Sequence, residues 1–184
     1  GTTNAELVAL GLADGALQWK SALTSEILAL PRVSRNLVVA RTSDGRLAGL
    51  DLNSGGLKWS HERSVPPLSV RSLGSPAIVR DLALDGFGGG KLLALGLADG
   101  KPVWEATAAI PHGRSEVERL VELDADPLVK DEVVYSTGFQ AGIAAISLGD
   151  GEVLWRQNTA YSSHGLAADR RSLFITDANS DVWR

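Results

Sequence analysis

The hydrophobic pattern of this chain is a succession of short apolar runs, each cut off by a polar corner that contains glycine. Such a pattern predicts short β-strands joined by tight turns. Four strand–corner–strand units align without gaps: Leu7–Trp19, Leu47–Trp59, Leu92–Trp104 and Ile143–Trp155. In every unit a Trp follows a Gly by four residues, pairing Gly15 with Trp19, Gly55 with Trp59, Gly100 with Trp104 and Gly151 with Trp155. The corners Ala-Asp-Gly, Asn-Ser-Gly and Gly-Asp-Gly put glycine where a hairpin turn needs positive φ.

Upstream of a unit a further strand is expected, as in Asn36–Arg41, joined to it through Ser43-Asp44-Gly45. A fourth strand precedes that one, with Glu26–Leu30 as the example. Four short strands per repeat, with the turn glycines 40, 45 and 51 residues apart, is the pattern of a β-propeller blade. The expected fold is therefore all-β, a propeller of four-stranded antiparallel blades. A partial blade over residues 1–24 precedes blades at 25–64, 65–109 and 110–159, and a partial blade over 160–184 follows. In that last blade the strand pattern resumes at Ser172, while Trp183 falls in a different register, matched to Ala48, and is assigned to local packing. Two architectures are open: tail strands pair with head strands in a small four-bladed ring, or the chain is about half of a larger one. A Trp at one fixed place in each blade is expected to cover the turn of a neighbouring blade, burying up to roughly 250 Å² apiece.

Composition narrows the function. Hydrophobic residues make up 44% of the 184, enough for a core, and the net charge is −4. With no face collecting Lys and Arg, nucleic acid is not an expected partner. The apolar runs fall far short of the roughly 20 residues of a membrane-spanning helix. The absence of cysteine removes disulfides, thiolate metal sites and cysteine nucleophiles.

Candidate chemistry is sparse. His61, His112 and His164 show no metal-ligand spacing and read as loop or surface residues. Ser162-Ser163-His164 places hydroxyls beside an imidazole without a Gly-x-Ser-x-Gly elbow, so ordinary turn residues are the reading. Gly86-Phe-Gly-Gly-Gly90 lacks the Lys-Ser/Thr ending of a phosphate loop and aligns with a strand end and its hairpin turn. Asp124 and Asp126 could be paired carboxylates or calcium ligands, but a solvated acidic interaction loop is the expectation. No catalytic residue, cofactor site or metal site is assigned.

The blades differ most in the connections between them. From each motif Trp to the next matched strand start the chain runs 17 residues (Trp19 to Asn36), 22 (Trp59 to Asp81), 28 (Trp104 to Glu132) and 16 (Trp155 to Arg171). The two longer connections leave consecutive blades at equivalent places, so they are expected to lie side by side. The first contains Ser64–Ser75, with Leu68 and Val70 alternating with polar residues before Arg71. The second contains Ile110–Asp126, where Glu116, Glu118, Arg119, Glu122 and Asp124 are charged and Val117, Leu120, Val121 and Leu123 are apolar. Together they form either a docking patch with an apolar centre and ionic rim, or long loops whose apolar residues tuck into the propeller.

The repeat resembles that of the quinoprotein, or PQQ-like, propellers. Val65-Pro-Pro-Leu-Ser-Val-Arg71, followed by the run Gly113–Pro127, resembles more specifically the BamB family of the outer-membrane β-barrel assembly machinery. That resemblance covers essentially the whole chain. It implies an eight-bladed parent ring, of which this chain is about half, lipid-anchored at the periplasmic face of the bacterial outer membrane. It implies no cofactor and a non-enzymatic role. The partners would be the POTRA domains of BamA with the rest of the BAM complex, and unfolded outer-membrane proteins besides. The residues it places at the BamA contact are Leu68, Val70, Arg71, Glu122 and Asp124. Val70 stands for a leucine and Glu122 for an aspartate, and the lipid-bearing cysteine and remaining blades are absent from this sequence. A fragment of a PQQ-dependent quinoprotein dehydrogenase, or a PQQ-like sensor propeller, is the alternative.

Overall fold

The computed structural model describes residues 1–63, 74–158, 160, 162, 165–177, 179 and 181–184, and in these the strands form five antiparallel sheets. The first sheet pairs β1 (Glu6–Leu10) with β2 (Leu17–Ala22). Three complete blades follow, each ordered by sequence from one edge to the other. The second blade holds β3 (Arg32–Ser34), β4 (Leu37–Arg41), β5 (Arg46–Asp51) and β6 (Leu57–Glu62). The third holds β7 (Ala77–Val79), β8 (Leu82–Phe87), β9 (Lys91–Gly96) and β10 (Pro102–Thr107). The fourth holds β11 (Leu128–Lys130), β12 (Val133–Gly138), β13 (Gly142–Ser147) and β14 (Val153–Gln157). The last sheet has three strands, β15 (Leu166–Ala168), β16 (Leu173–Thr176) and β17 (Val182–Trp183).

The short strands β3, β7, β11 and β15 contact one another in that order and form the inner edge of the blades. Four apolar clusters fill the spaces between successive sheets. Leu7, Val38 and Leu50 lie between the first and second, and Val39, Leu47 and Leu93 between the second and third. Leu84, Leu123 and Ile146 lie between the third and fourth, and Ile143 and Ile175 between the fourth and fifth. The core is thus distributed, one layer per blade junction.

Each strand–corner–strand unit folds the same way. The turn glycine takes a φ between +68° and +77°, and its N–H donates to the carbonyl four residues back: Gly15 to Gly11, Gly55 to Asp51, Gly100 to Gly96, Gly151 to Ser147. A register shift follows in all four hairpins, just before the motif Trp or at its level. Trp19 then donates its indole N–H to the Leu52 carbonyl (2.9 Å), Trp59 to Leu97 (2.8 Å) and Trp104 to Leu148 (2.9 Å), each in the following blade. Their rings lie flat against Gly55, Gly100 and Gly151 of those blades. The expected Trp-over-turn joint therefore holds for three of the four motif tryptophans. Trp155 is 44% exposed and instead tilts against Tyr135 of its own blade, with ring centroids 6.0 Å apart. Trp183 donates locally to Asp177 Oδ2 (2.9 Å).

This joint separates two roles of glycine. At Gly15 nothing lies within 4 Å of a would-be Cβ, whereas at Gly100 that atom would sit 2.5 Å from the Trp59 ring. Gly15→Ala is expected to cost about 1 kcal/mol, from the positive φ alone. Gly100→Ala carries the same strain plus displacement of a packed indole, about 2–4 kcal/mol in all. Urea midpoints of the two variants measure the difference.

One expectation needs correction, and one of the two open architectures is not seen. The innermost strand of the second blade is Arg32–Ser34, not Glu26–Leu30. The earlier run is apolar because Ile27 and Ala29 are buried, and its backbone is used by neighbours: Ile27 N–H donates to Thr2 and the Glu26 carbonyl accepts from Ser43. Nor do head and tail strands pair into a four-bladed ring among the described residues, since β1–β2 and β15–β17 form separate sheets.

Candidate functional site

Because neighbouring strands alternate in direction, the turns between second and third strands emerge at the same end of the blades as the connections between blades. The described end of the first longer connection, Gly74 and Ser75, meets the second there. Where the first rejoins the third blade, the Ser75 N–H donates to Asp126 Oδ1 of the second connection (2.6 Å), and Asp126 Oδ2 pairs with Arg32 of β3 (2.5 Å). Gly74 lies so close to the second connection that a Cβ would stand 2.6 Å from the Asp124 carbonyl oxygen. Glycine is required there by close approach of two backbones.

The second connection has two parts with opposite fates. Residues 113–119 form a single exposed turn closed by a capping box: the Glu118 carboxylate accepts from the N–H groups of Arg114 (2.7 Å) and Ser115 (3.0 Å), and Glu118 N–H donates to Ser115 Oγ. The Ser115 and Arg114 amides hold the Glu118 carboxyl below its usual range. Val117 and Ile110 face outward, 64% and 52% exposed.

Residues 121–125, by contrast, are buried. Glu122 bridges the turns of the third and fourth blades: Gly89 N–H donates to the Val121 carbonyl, Glu122 N–H to Phe139 and Leu123 N–H to Phe87. Gly86 and Gly138 create the passage, since a Cβ on either would collide with the Leu123 or Glu122 carbonyl oxygen. The Gly86–Gly90 run is a strand end and hairpin turn, as aligned, and is also the seat of this segment.

The site residues fall out as follows. Glu122 is 3% and Asp124 7% exposed, so the expectation of a solvated acidic loop, made for Asp124 and Asp126, fails for Asp124. Asp124 Oδ1 accepts from Phe139 N–H (2.9 Å), while Asp126 keeps 44% of its side chain exposed. Val121 and Leu123 are core residues, which leaves Val117 as the outward apolar side chain of the predicted anchor and Leu120 partly buried. Leu68, Val70 and Arg71 lie outside the described residues, as do Ser163 and His164. Ser162 is buried, its N–H directed at Thr137 Oγ1 (3.4 Å). His61 sits on β6 opposite Leu47, and His112 is exposed in the second connection. Among the described residues no group of three or more His, Asp or Glu side chains is placed to hold a metal.

Sequence reasoning missed a charged pair beneath the junction. Asp85 on β8 is 2% exposed and meets Arg41 of β4, itself 10% exposed, across the boundary of the second and third blades at 3.3 Å. Arg41 also approaches the Gly74 carbonyl (3.5 Å) and lies over the Phe87 ring, 5.3 Å from its centroid. Arg63, at the start of the first connection, lies over the same ring at 5.1 Å and pairs with Glu105 at 3.0 Å. Burial pushes the Asp85 carboxyl up to about 7 although Arg41 opposes it, and the nearby Asp126 charge adds to the rise. The available signal was the register: Asp85 stands where the second blade has Ala40, each just before the residue paired with the first position of the motif unit, Leu92 or Leu47.

The comparisons agree with this architecture. The family model described as outer membrane protein assembly factor BamB matches residues 1–184. The BamB of Nitrosomonas eutropha is 35% identical over 177 residues, covering 96% of this chain and 43% of its own length. The crystal structure of BamB from Moraxella catarrhalis superposes with a TM-score of 0.91 at 29% identity, covering 99% of this chain and 55% of that one. The chain thus spans about half the length of the relatives it matches. A quinohemoprotein alcohol dehydrogenase from Comamonas testosteroni, at 20% identity and a TM-score of 0.59, shares the fold alone. With its whole length matched by the family model and its blades superposing on half of a BamB propeller, this chain belongs to the BamB family of outer membrane protein assembly factors.

Proposed function

We propose that this chain is part of a non-enzymatic scaffold of the β-barrel assembly machinery, which binds the POTRA domains of BamA and assists outer-membrane protein insertion. In this reading the parent propeller is held by a lipid at the periplasmic face of the outer membrane, uses no cofactor, and also meets unfolded outer-membrane proteins. The observation that carries it is the junction of the two long connections on one end of adjacent blades, stapled by Ser75 to Asp126 and by Gly74 to Asp124. A footing fixed at this many points suits a surface that must present its side chains in one geometry.

Leu68, Val70 and Arg71 are the proposed anchor, two apolar side chains followed by a guanidinium. Glu122 and Asp124 act through the buried segment they belong to. At 3% and 7% exposure their part is to fix the surface rather than to offer it charge, and the exposed turn carrying Val117 extends the same face. No observation favours the quinoprotein dehydrogenase alternative, whose support is likeness of fold.

A pull-down of the full-length parent against purified POTRA domains, with and without Arg71→Glu, tests the reading. Wild-type capture that Arg71→Glu reduces by about a hundredfold or more is expected, as for reversal of a central interface charge. Failure of the wild type to bind removes the function. Undiminished binding by the variant removes the assignment of the anchor.

A further inference from the structure

We propose that Asp85 and Arg41 are the positioning pair of this docking surface: they fix the junction of the two connections without touching the partner. The inference rests on the functional reading above. Its geometry is a single guanidinium shared by three parts of the molecule. Arg41 belongs to the second blade, pairs with Asp85 of the third (3.3 Å), and reaches the Gly74 carbonyl (3.5 Å) where the first connection ends. Gly74 in turn presses on the Asp124 carbonyl of the second connection. The Phe87 ring, two residues beyond Asp85, carries Arg41 and also Arg63, where the first connection begins. Both ends of that connection are therefore referenced to β8.

The pair is costly to keep. Asp85 Oδ2 is buried with no hydrogen-bond partner, and the equivalent position of the second blade is filled by Ala40. An apolar side chain would suit folding as well or better. What the carboxylate adds is a directional hold on Arg41 at the point where both connections meet, and a fold at its stability threshold retains such a group where position matters.

The charged groups that act on Asp85 are Arg41 from β4, which pairs with it, and Asp126 from the second connection, itself paired with Arg32 of β3; Arg63 shares the Phe87 ring with Arg41. With its carboxyl pushed up to about 7, Asp85 is neutral in acid and ionised above neutrality. Its value in the fold exceeds that of the unfolded chain, so its contribution to stability is present in acid and is lost as pH rises through about 7. The ion pair with Arg41, in contrast, is complete only above that pH. Stability and positioning thus respond to pH in opposite senses, which a merely structural residue would not produce.

The test measures POTRA-domain affinity between about pH 5.5 and 8.5 for wild type, Asp85→Asn and Arg41→Lys. Amide exchange at Ser75, Leu123 and Phe139 is followed without partner. Asp85→Asn keeps the volume and an acceptor for Arg41. Wild-type affinity is expected to weaken roughly three- to thirtyfold on acidification through about pH 7. Asp85→Asn is expected to bind weakly at every pH, with faster exchange at the three amides, and Arg41→Lys to keep the pH step at reduced affinity. Unchanged exchange in Asp85→Asn overturns the proposal, as does faster exchange with affinity and pH step intact. If the wild type does not bind at all, the functional reading falls, and the exchange measurement alone decides whether the pair fixes the junction.

Discussion

Trp104→Ala is expected to destabilise the chain by about 3–5 kcal/mol, the range for truncating a buried large aromatic. Trp104 is 8% exposed, belongs to the cluster between the third and fourth blades, and donates its indole N–H to the Leu148 carbonyl. Truncation removes three things at once: the apolar area, the hydrogen bond, and the lid over Gly151. It also leaves the Leu148 carbonyl without that donor inside an apolar layer. Trp155 provides the internal control. It holds the same place in its own repeat yet is 44% exposed, so Trp155→Ala is expected to cost about 1 kcal/mol or less. Urea unfolding followed by circular dichroism measures both. Equal costs for the two variants would mean that the interblade joint is not what makes the motif Trp important.

The second large effect is Gly138→Ala, expected to cost at least about 3 kcal/mol, at the upper end for overpacking. Gly138 does not have a positive φ, so no conformational strain is involved. The new methyl would meet the Glu122 carbonyl oxygen, and the atoms it presses on are backbone on both sides. Either the fourth blade shifts or residues 121–124 leave their passage, taking Leu123 out of the core. Gly89→Ala, one turn away in the third blade, has open space at the would-be Cβ and a φ of +75°, so only about 1 kcal/mol is expected. Thermal midpoints of the two variants separate steric exclusion from turn strain. A midpoint for Gly138→Ala above that for Gly89→Ala would contradict the account of the passage.

What the sequence discloses follows the range of the interactions concerned. The Gly–Trp units are legible because turn chemistry is local: a Gly at positive φ and a Trp four residues on both leave a mark in a short window. The meeting of Gly74 and Ser75 with the second connection was legible too, since equivalent positions in a repeat lie at equivalent places in space. The innermost strands were not. At three residues, Arg32–Ser34 and Ala77–Val79 are too short to show a period, and the apolar stretch preceding the former drew the assignment instead.

The largest misreading concerned Asp124. With Asp126 it read as solvated, because isolated charges are costly to bury. The loop in fact passes between two blades whose second strands carry a glycine at or next to their last residue. Gly86 and Gly138 stand where the second blade has Arg41 and Thr42, and glycine at strand ends only in the two blades flanking the longest connection was the clue. Asp85 escaped for a related reason. One acidic residue within an apolar strand gives no pattern until its partner on another blade is known.

The Trp joints have a direction: the motif indoles of the first three blades each seat on the blade that follows, and each apolar cluster is shared only by neighbours. An array coupled in this way behaves as a one-dimensional chain of nearest-neighbour links, in which a blade is as stable as the two joints that flank it. Melting then advances from blade to blade rather than striking the whole array at once. The junction of the long connections adds a second link, between the third and fourth blades and back to the second through Arg32. That cross-brace makes the middle of the chain its most cooperative part.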